Sequence, residues 1–160
     1  MQHHGLPTRL LDWTESALAG LYFAVNSHLD RDGVLYVLAP LELNGHQTGK
    51  PMLFAPRTAE IHPKLMACFQ GTEKTEDIVA ILAHQSNERM RSQCGHFTIH
   101  GTPKDLREVA RPDYLKSIPI PAKAKPVIRK QLEYFGVRRS TLFCDLDSLA
   151  IDLREQHGLG

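Results

Sequence analysis

Residues 2 to 24 read QHHGLPTRLLDWTESALAGLYFA, and the passage inside this stretch from a turn into a helix sets how the rest of the chain is read. Gly5 and Pro7 shape its first part, because proline restricts its own φ and biases Leu6 away from the helical region. The first dozen residues are therefore expected to form a loop or tight connection. Thr14 is expected as an N-cap, with Glu15 favourable in the positive first turn. From Glu15 to about Asn26 a helix is predicted, with Leu18, Leu21, Tyr22 and Val25 on one face.

Working outward, His28 to Gly33 is polar and turn-like. Gly33 to Leu38 (GVLYVL) is β-branched and aromatic and reads as a buried strand closed by Pro40. Residues 40 to 76 carry Gly45, Gly49, Pro51, Pro56, Pro63 and Gly71, so a long surface excursion with short elements is expected there, a natural substrate-facing loop. Asp77 to His84 (DIVAILAH) fits a short strand or a helical turn equally well. Gly95 to His100 (GHFTIH) alternates and reads as a strand, Asp105 to Val109 as one helical turn, and Tyr114 to Ile120 as another strand. A helix is predicted from about Lys125 to Phe135, with Pro126 in its first turn and Gly136 at the left-handed C′ position. Asp145 to Glu155 reads as a last amphipathic helix with Leu146, Leu149, Ala150 and Leu153 inward. Separated strands and helices of this kind imply an α+β fold, a small mixed or antiparallel sheet flanked by helices.

The chain of 160 residues is the size of one domain, and its 42% hydrophobic content is enough to bury a core. A formal net charge of +1 does not announce a nucleic-acid or membrane partner. Cys68, Cys94 and Cys144 are odd in number and widely spaced, which fits a reducing cytoplasm better than a disulfide framework. The longest apolar run, Ala17 to Val25, is too short to span a bilayer.

The opening stretch is also dense in residues suited to binding. Its turn presents Gln2, His3, His4, Thr8, Arg9, Asp12 and Trp13 and leads into a helix N-terminus, whose free N–H groups and positive dipole end favour an anion. Arg9 supplies a planar fork for a phosphate, and Trp13 a face for a ring. The competing structural reading pairs Arg9 with Asp12, buries Trp13 in the core and leaves Thr14 as a simple cap. No metal site is expected. His3 and His4 diverge as neighbours, and His96 and His100 would stand about 13 Å apart on one strand.

The same stretch closely resembles the motif QHxGLPTRLLDWT…ALYFA of the FRG domain, a bacterial family named for a Phe-Arg-Gly motif. Asn87 to Thr98 (NERMRSQCGHFT) looks like the family's Arg…Gln-x-Gly-x-Phe-Thr segment. Ile118 to Ala122 followed by a helix, and Ser140 to Leu149 (STLFCDLDSL), look like its C-terminal end, so the resemblance runs over nearly the whole chain. The namesake Phe-Arg-Gly, which lies upstream of the Gln-His motif in the family, is not in this sequence. Residues 1–160 are accordingly expected to be a single FRG-type domain lacking that segment, with Met1 an internal methionine.

FRG domains are distantly similar to ADP-ribosyltransferases in the order of their motifs. The resemblance implies NAD as substrate rather than a tightly bound cofactor, with Gln2, His3, Thr8, Arg9, Trp13, Thr14 and Arg89 binding it and Gln93 and Asp12 in catalytic positions. It also implies a setting in bacterial toxin or phage-defence systems. Transferases of this kind place a Glu where Gln93 stands, and a neutral amide orients a ribose hydroxyl while giving a sugar cation less stabilisation. Two readings stay open on these residues, an NAD-cleaving transferase and a non-catalytic nucleotide-sensing domain. A third is nucleic-acid binding. Lys104 to Arg139 carries ten Lys/Arg against four Asp/Glu, a basic stretch able to track phosphates, although a solvated helix face explains Lys123, Lys125, Arg129 and Lys130 more simply.

Overall fold

The computed structural model describes residues 9–70, 72, 77–84, 87–101, 105–109 and 113–158. Among these, helices accompany small β-sheets, as an α+β fold requires. The chain divides into two compact units. The first comprises Met1–Trp13, Tyr36–His84 and His96–Lys116, and the second Thr14–Leu35, Gln85–Gly95 and Ser117–Gly160. The division falls within β1 (Leu10–Thr14), β2 (Gly33–Leu38), β4 (Gly95–His100) and β5 (Leu115–Ile120).

In the first unit, β1, β4 and β3 (Ile78–Ile81) form a three-stranded sheet in that spatial order. β3 and β4 are antiparallel, with Ile78 opposite His100 and Ile81 opposite Phe97. All four residues of β3 are buried, which resolves Asp77 to His84 as a strand. Alternation sends Val79 and Ile81 to one face, where they pack with Phe54, Ile61, Cys68 and Ile99. Ile78 and Ala80 face the other way, against Leu43, Leu106 and Tyr114. A strand covered on both faces shows no polar alternation, which is why its periodicity is silent in the sequence.

The region 40–76 is more regular than its glycines and prolines suggest. Its described residues include two helices, α2 (Pro40–Thr48) and α3 (His62–Gln70). Pro40 occupies a first-turn position that needs no N–H, and Gly49 ends α2 in the left-handed region at φ 72°. Both residues bound the helix rather than break it. The inner face of α2 carries Leu43 and Asn44, each fully buried.

Asn44 holds the unit together. Its amide donates to the carbonyls of Met52 (2.7 Å) and Ala80 (2.9 Å), and its Oδ1 accepts from the Ala80 N–H (2.8 Å). The Gln47 side chain accepts from the Ile78 N–H at 3.2 Å, and the Leu82 N–H donates to the Phe54 carbonyl at 2.9 Å. The edge of β3 turned away from β4 is thus satisfied by α2 and by the segment around Phe54, and no open strand edge remains there.

In the second unit, α1 (Ala17–Val25) packs on α6 (Lys125–Tyr134) over a core of Val25, Ile120 and Leu132. Lys125 is 1% exposed, and its ammonium donates to the carbonyls of Ser27 (2.9 Å) and His28 (3.1 Å). Gly33 lies against α1 so closely that a Cβ would stand 2.7 Å from the Ala24 carbonyl oxygen. The unit also contains α4 (Glu88–Ser92), α7 (Arg139–Phe143) and α8 (Leu146–His157). The one-turn helix α5 (Leu106–Val109) belongs to the first unit.

Four further expectations are corrected. Leu10–Thr14 is a strand rather than a connection, because Arg9 already joins β4 through the His100 N–H (2.8 Å to the Arg9 carbonyl). The N-cap of α1 is Ser16, not Thr14: its side chain accepts from the Ala19 N–H at 3.2 Å, and the helix begins two residues later than expected. The leucine stripe of α8 faces outward, with Leu146 82% exposed. That helix turns Ser148 and Asp152 inward instead, because the Asp152 carboxylate accepts from the Ser140 N–H in the first turn of α7 at 2.7 Å. β2 is half-buried rather than buried, with Val34 and Val37 both exposed.

Replacing Asn44 by alanine strands the buried N–H and C=O of Ala80. At about 1–3 kcal/mol for each buried group left unpaired, Asn44→Ala should lower stability by about 2–6 kcal/mol. A urea melt showing an unchanged midpoint would contradict this account of the strand edge.

Candidate functional site

The residues expected to form one site fall into both units, and three of them, Gln2, His3 and Thr8, lie outside the described residues. Arg9, Asp12 and Trp13 are in the first unit, and Thr14, Arg89 and Gln93 in the second.

Arg9 acts as a brace in the sheet. Its guanidinium donates to the Gly101 carbonyl, and its own carbonyl accepts from His100. Trp13 is half-buried against the cluster around Leu43 and Ala80. Its indole N–H donates to Thr98 Oγ1 at 3.1 Å, and that fully buried hydroxyl also lies 2.9 Å from His100 Nε2. A core position and a satisfied N–H are what a buried tryptophan requires. The competing structural reading therefore fits Trp13, while Arg9 pairs with a carbonyl rather than with Asp12. Asp12 is exposed on β1.

In the second unit, Thr14 and Gln93 meet. The Thr14 hydroxyl donates to the Gln93 carbonyl at 2.6 Å and accepts from the Ser16 N–H at 3.0 Å. The Glu15 N–H donates to the Cys94 carbonyl at 3.1 Å. Gln93 is the C-cap of α4, and its side-chain amide donates to the Leu142 carbonyl at 3.1 Å. Gln93 thus ties the end of α4 to α7.

Arg89 is placed differently. Its guanidinium carbon stands 4.4 Å from the centroid of the Phe143 ring, and its buried Nε has no hydrogen-bond partner among the described residues. Arg139 approaches the same ring at 5.0 Å, and Phe23 of α1 meets it edge-on at 6.0 Å. The negative face of an aromatic ring attracts a cation, so Phe143 holds two guanidiniums near each other despite their repulsion. Asp145 is held below the usual carboxylate range, chiefly by its hydrogen bonds to Ser148, with Arg139 and Arg89 adding to the effect. Its carboxylate caps α8 at 2.7 Å from the Ser148 N–H. What remains is a pair of planar cationic forks beside an aromatic surface, an arrangement suited to phosphate or carboxylate oxygens.

Phe143 and Arg139 are not among the site residues expected from sequence. The only signal for Arg139 is its place at the end of the basic stretch Lys104 to Arg139. Phe143 sits in the STLF segment that carries the family resemblance without any role attached to it.

The family model of the FRG domain matches residues 1–33, which take in β1 and α1. The resemblance to the FRG domain read from the opening motif is thus matched over that segment. No curated protein and no solved structure matches the chain.

Gln93→Glu should destabilise the protein by about 1–3 kcal/mol at neutral pH, because a carboxylate facing the Leu142 carbonyl replaces a donor by a charged acceptor. The sign of the pH dependence follows from the protonated form, which can donate where the ionised form cannot. The folded-state pKa of the new carboxyl rises above its unfolded value, so the deficit shrinks as pH falls through the carboxylate range. Thermal melts of Gln93→Glu and wild type between neutral and acid pH measure that convergence. A constant difference across the range would show that the side-chain contact to Leu142 contributes nothing.

Proposed function

We propose that this FRG-type protein is a nucleotide-sensing domain that binds NAD or a closely similar dinucleotide, holding its phosphates on Arg89 and Arg139 beside Phe143. The observation that carries the reading is the stacking of both guanidiniums on one ring, at 4.4 and 5.0 Å. Stacking fixes the planes of two flexible side chains before any ligand arrives, and preorganised charge costs less ordering on binding. Phe143 and Phe23 supply apolar surface for a base next to the phosphates.

Binding without transfer is favoured over ADP-ribosyl transfer by the state of Gln93. Its side-chain amide donates to the Leu142 carbonyl, and its backbone carbonyl accepts from the Thr14 hydroxyl. A residue that must stabilise a ribosyl cation needs charge, and a neutral amide offers little. The setting implied by the family, bacterial toxin or phage defence, is compatible with a domain that reports nucleotide state to another part of the system.

The nucleic-acid reading draws on fewer cations than the basic stretch contains. Lys125 is interior. Arg107 is closed onto Asp105 at 2.5 Å and 3.0 Å, which brings the Asp105 carboxyl down to about 2. Among the described residues, no helix is long and apolar enough to cross a membrane.

Isothermal titration with NAD and ADP-ribose should give saturable binding to the intact protein. Arg139→Ala and Phe143→Ala should weaken it about ten- to hundredfold, the scale of a lost charge-assisted hydrogen bond. No nicotinamide release is expected. Absence of saturation at millimolar NAD, or an Arg139→Ala variant that binds as wild type does, sinks the proposal. A salt-dependent shift of labelled RNA with no NAD binding would favour the nucleic-acid reading instead.

A further inference from the structure

The second unit carries another concave feature, apart from the Phe143 ring. Where α1, α6 and α8 come together, a cleft of about 290 Å³ opens. Tyr22 and Asn26, at the end of α1, contribute to it. One side carries Arg129 of α6 with Arg138 and Arg139 at the entry to α7. Glu133 lies on that side too, one turn along α6 from Arg129. The α8 side carries Asp152 and Glu155, three residues apart and so on one helical face.

Six charged side chains around one cleft would ordinarily close on each other. Among the described residues, no ion pair forms between any of these arginines and any of these carboxylates. Two of them are held by other contacts: Asp152 by the Ser140 N–H at 2.7 Å, and Arg139 by the Phe143 ring. The Tyr22 phenol registers both kinds of charge. Burial pushes its pKa up, Arg139 and Arg129 pull it down, and Asp152 and Glu155 push it up.

This pattern selects a ligand by its charge distribution. The three guanidiniums and three carboxylates sum to zero. A simple anion drawn to the arginines is repelled by the acids, and a simple cation meets the reverse. A molecule carrying both charges gains at both ends when it lies across the cleft. Val137 and the Tyr22 ring add apolar surface to the lining. The volume is at the small end of ligand pockets, which run from about 300 Å³ upward.

We propose that this cleft is a binding site for a small zwitterion of the free dipeptide class. Its carboxylate would lie on the Arg129, Arg138 and Arg139 side, and its ammonium against Asp152 and Glu155. The site is separate in ligand chemistry from the nucleotide reading, although Arg139 reaches both features.

The test is an NMR titration of the full chain with glycyl-leucine, with N-acetyl-glycyl-leucine and glycyl-leucinamide as the blocked counterparts. Saturable shifts centred on Val137 and Glu155 are expected with the free dipeptide, and binding about tenfold weaker or less with either blocked form, since each block removes one charge-assisted contact. Arg129→Gln and Glu155→Gln should each weaken glycyl-leucine by a similar factor and leave NAD affinity unchanged. Intact dispersion of the other resonances checks that both variants are folded. Equal binding of the acetylated form would identify an anion site and overturn the proposal, and so would the absence of any saturable shift at millimolar dipeptide. Loss of NAD binding alone, with the dipeptide response retained, would count against the nucleotide reading and leave this one standing.

Discussion

The first unit depends on one buried amide. β3 lies at the end of its sheet with apolar residues on both faces, an arrangement that normally leaves a row of backbone donors and acceptors without partners. Asn44 meets Ala80 with both a donor and an acceptor, as a neighbouring strand would, and Gln47 continues the pattern at Ile78. A helix can therefore lie where another strand would otherwise be needed. Once α2 is fixed there, Leu43 covers Ile78 and Ala80, and Tyr114 closes the same cluster. Among the described residues, Asn44 is one of very few polar side chains with no exposure, and every polar atom of its amide group is engaged.

The second unit uses the same principle with different groups. Lys125 places an ammonium on the carbonyls of Ser27 and His28, and Asp152 and Asp145 each receive an N–H near the start of a helix. These polar contacts set how the helices face. α8 shows why that matters, since its leucines are on the outside and Ser148 is on the inside. Hydrophobic patterning says which residues could be buried, whereas a capping carboxylate decides which face is turned inward.

Several residues that look chemical in the opening motif make contacts that hold the structure together. Arg9 satisfies a carbonyl, Trp13 donates into a buried hydroxyl, and Thr14 joins Gln93. Each pairs a polar group with a backbone or core partner distant in sequence, such as Thr14 with residue 93 or Trp13 with residue 98. A motif dense in Arg, Asp, Trp and Thr reads as a binding surface because these residue types serve both purposes. Arg89 differs, since its guanidinium is held by an aromatic ring and its Nε has no acceptor among the described residues.

Taken alone, the sequence determined the α+β class, the FRG resemblance at the opening motif, and those elements with clear local signals. GVLYVL and GHFTIH are strands, and Lys125 to Tyr134 is a helix that gives way to Gly136 at φ 75°. These are legible because alternation, proline and glycine act within a few residues of one another. Tertiary structure alone decided that IVAI is a strand, that α8 turns its leucines outward, that Arg89 and Arg139 share the Phe143 ring, and that six charges surround an open cleft. Each depends on groups far apart in the chain, brought together by burial and hydrogen bonding whose energies no local window of sequence contains.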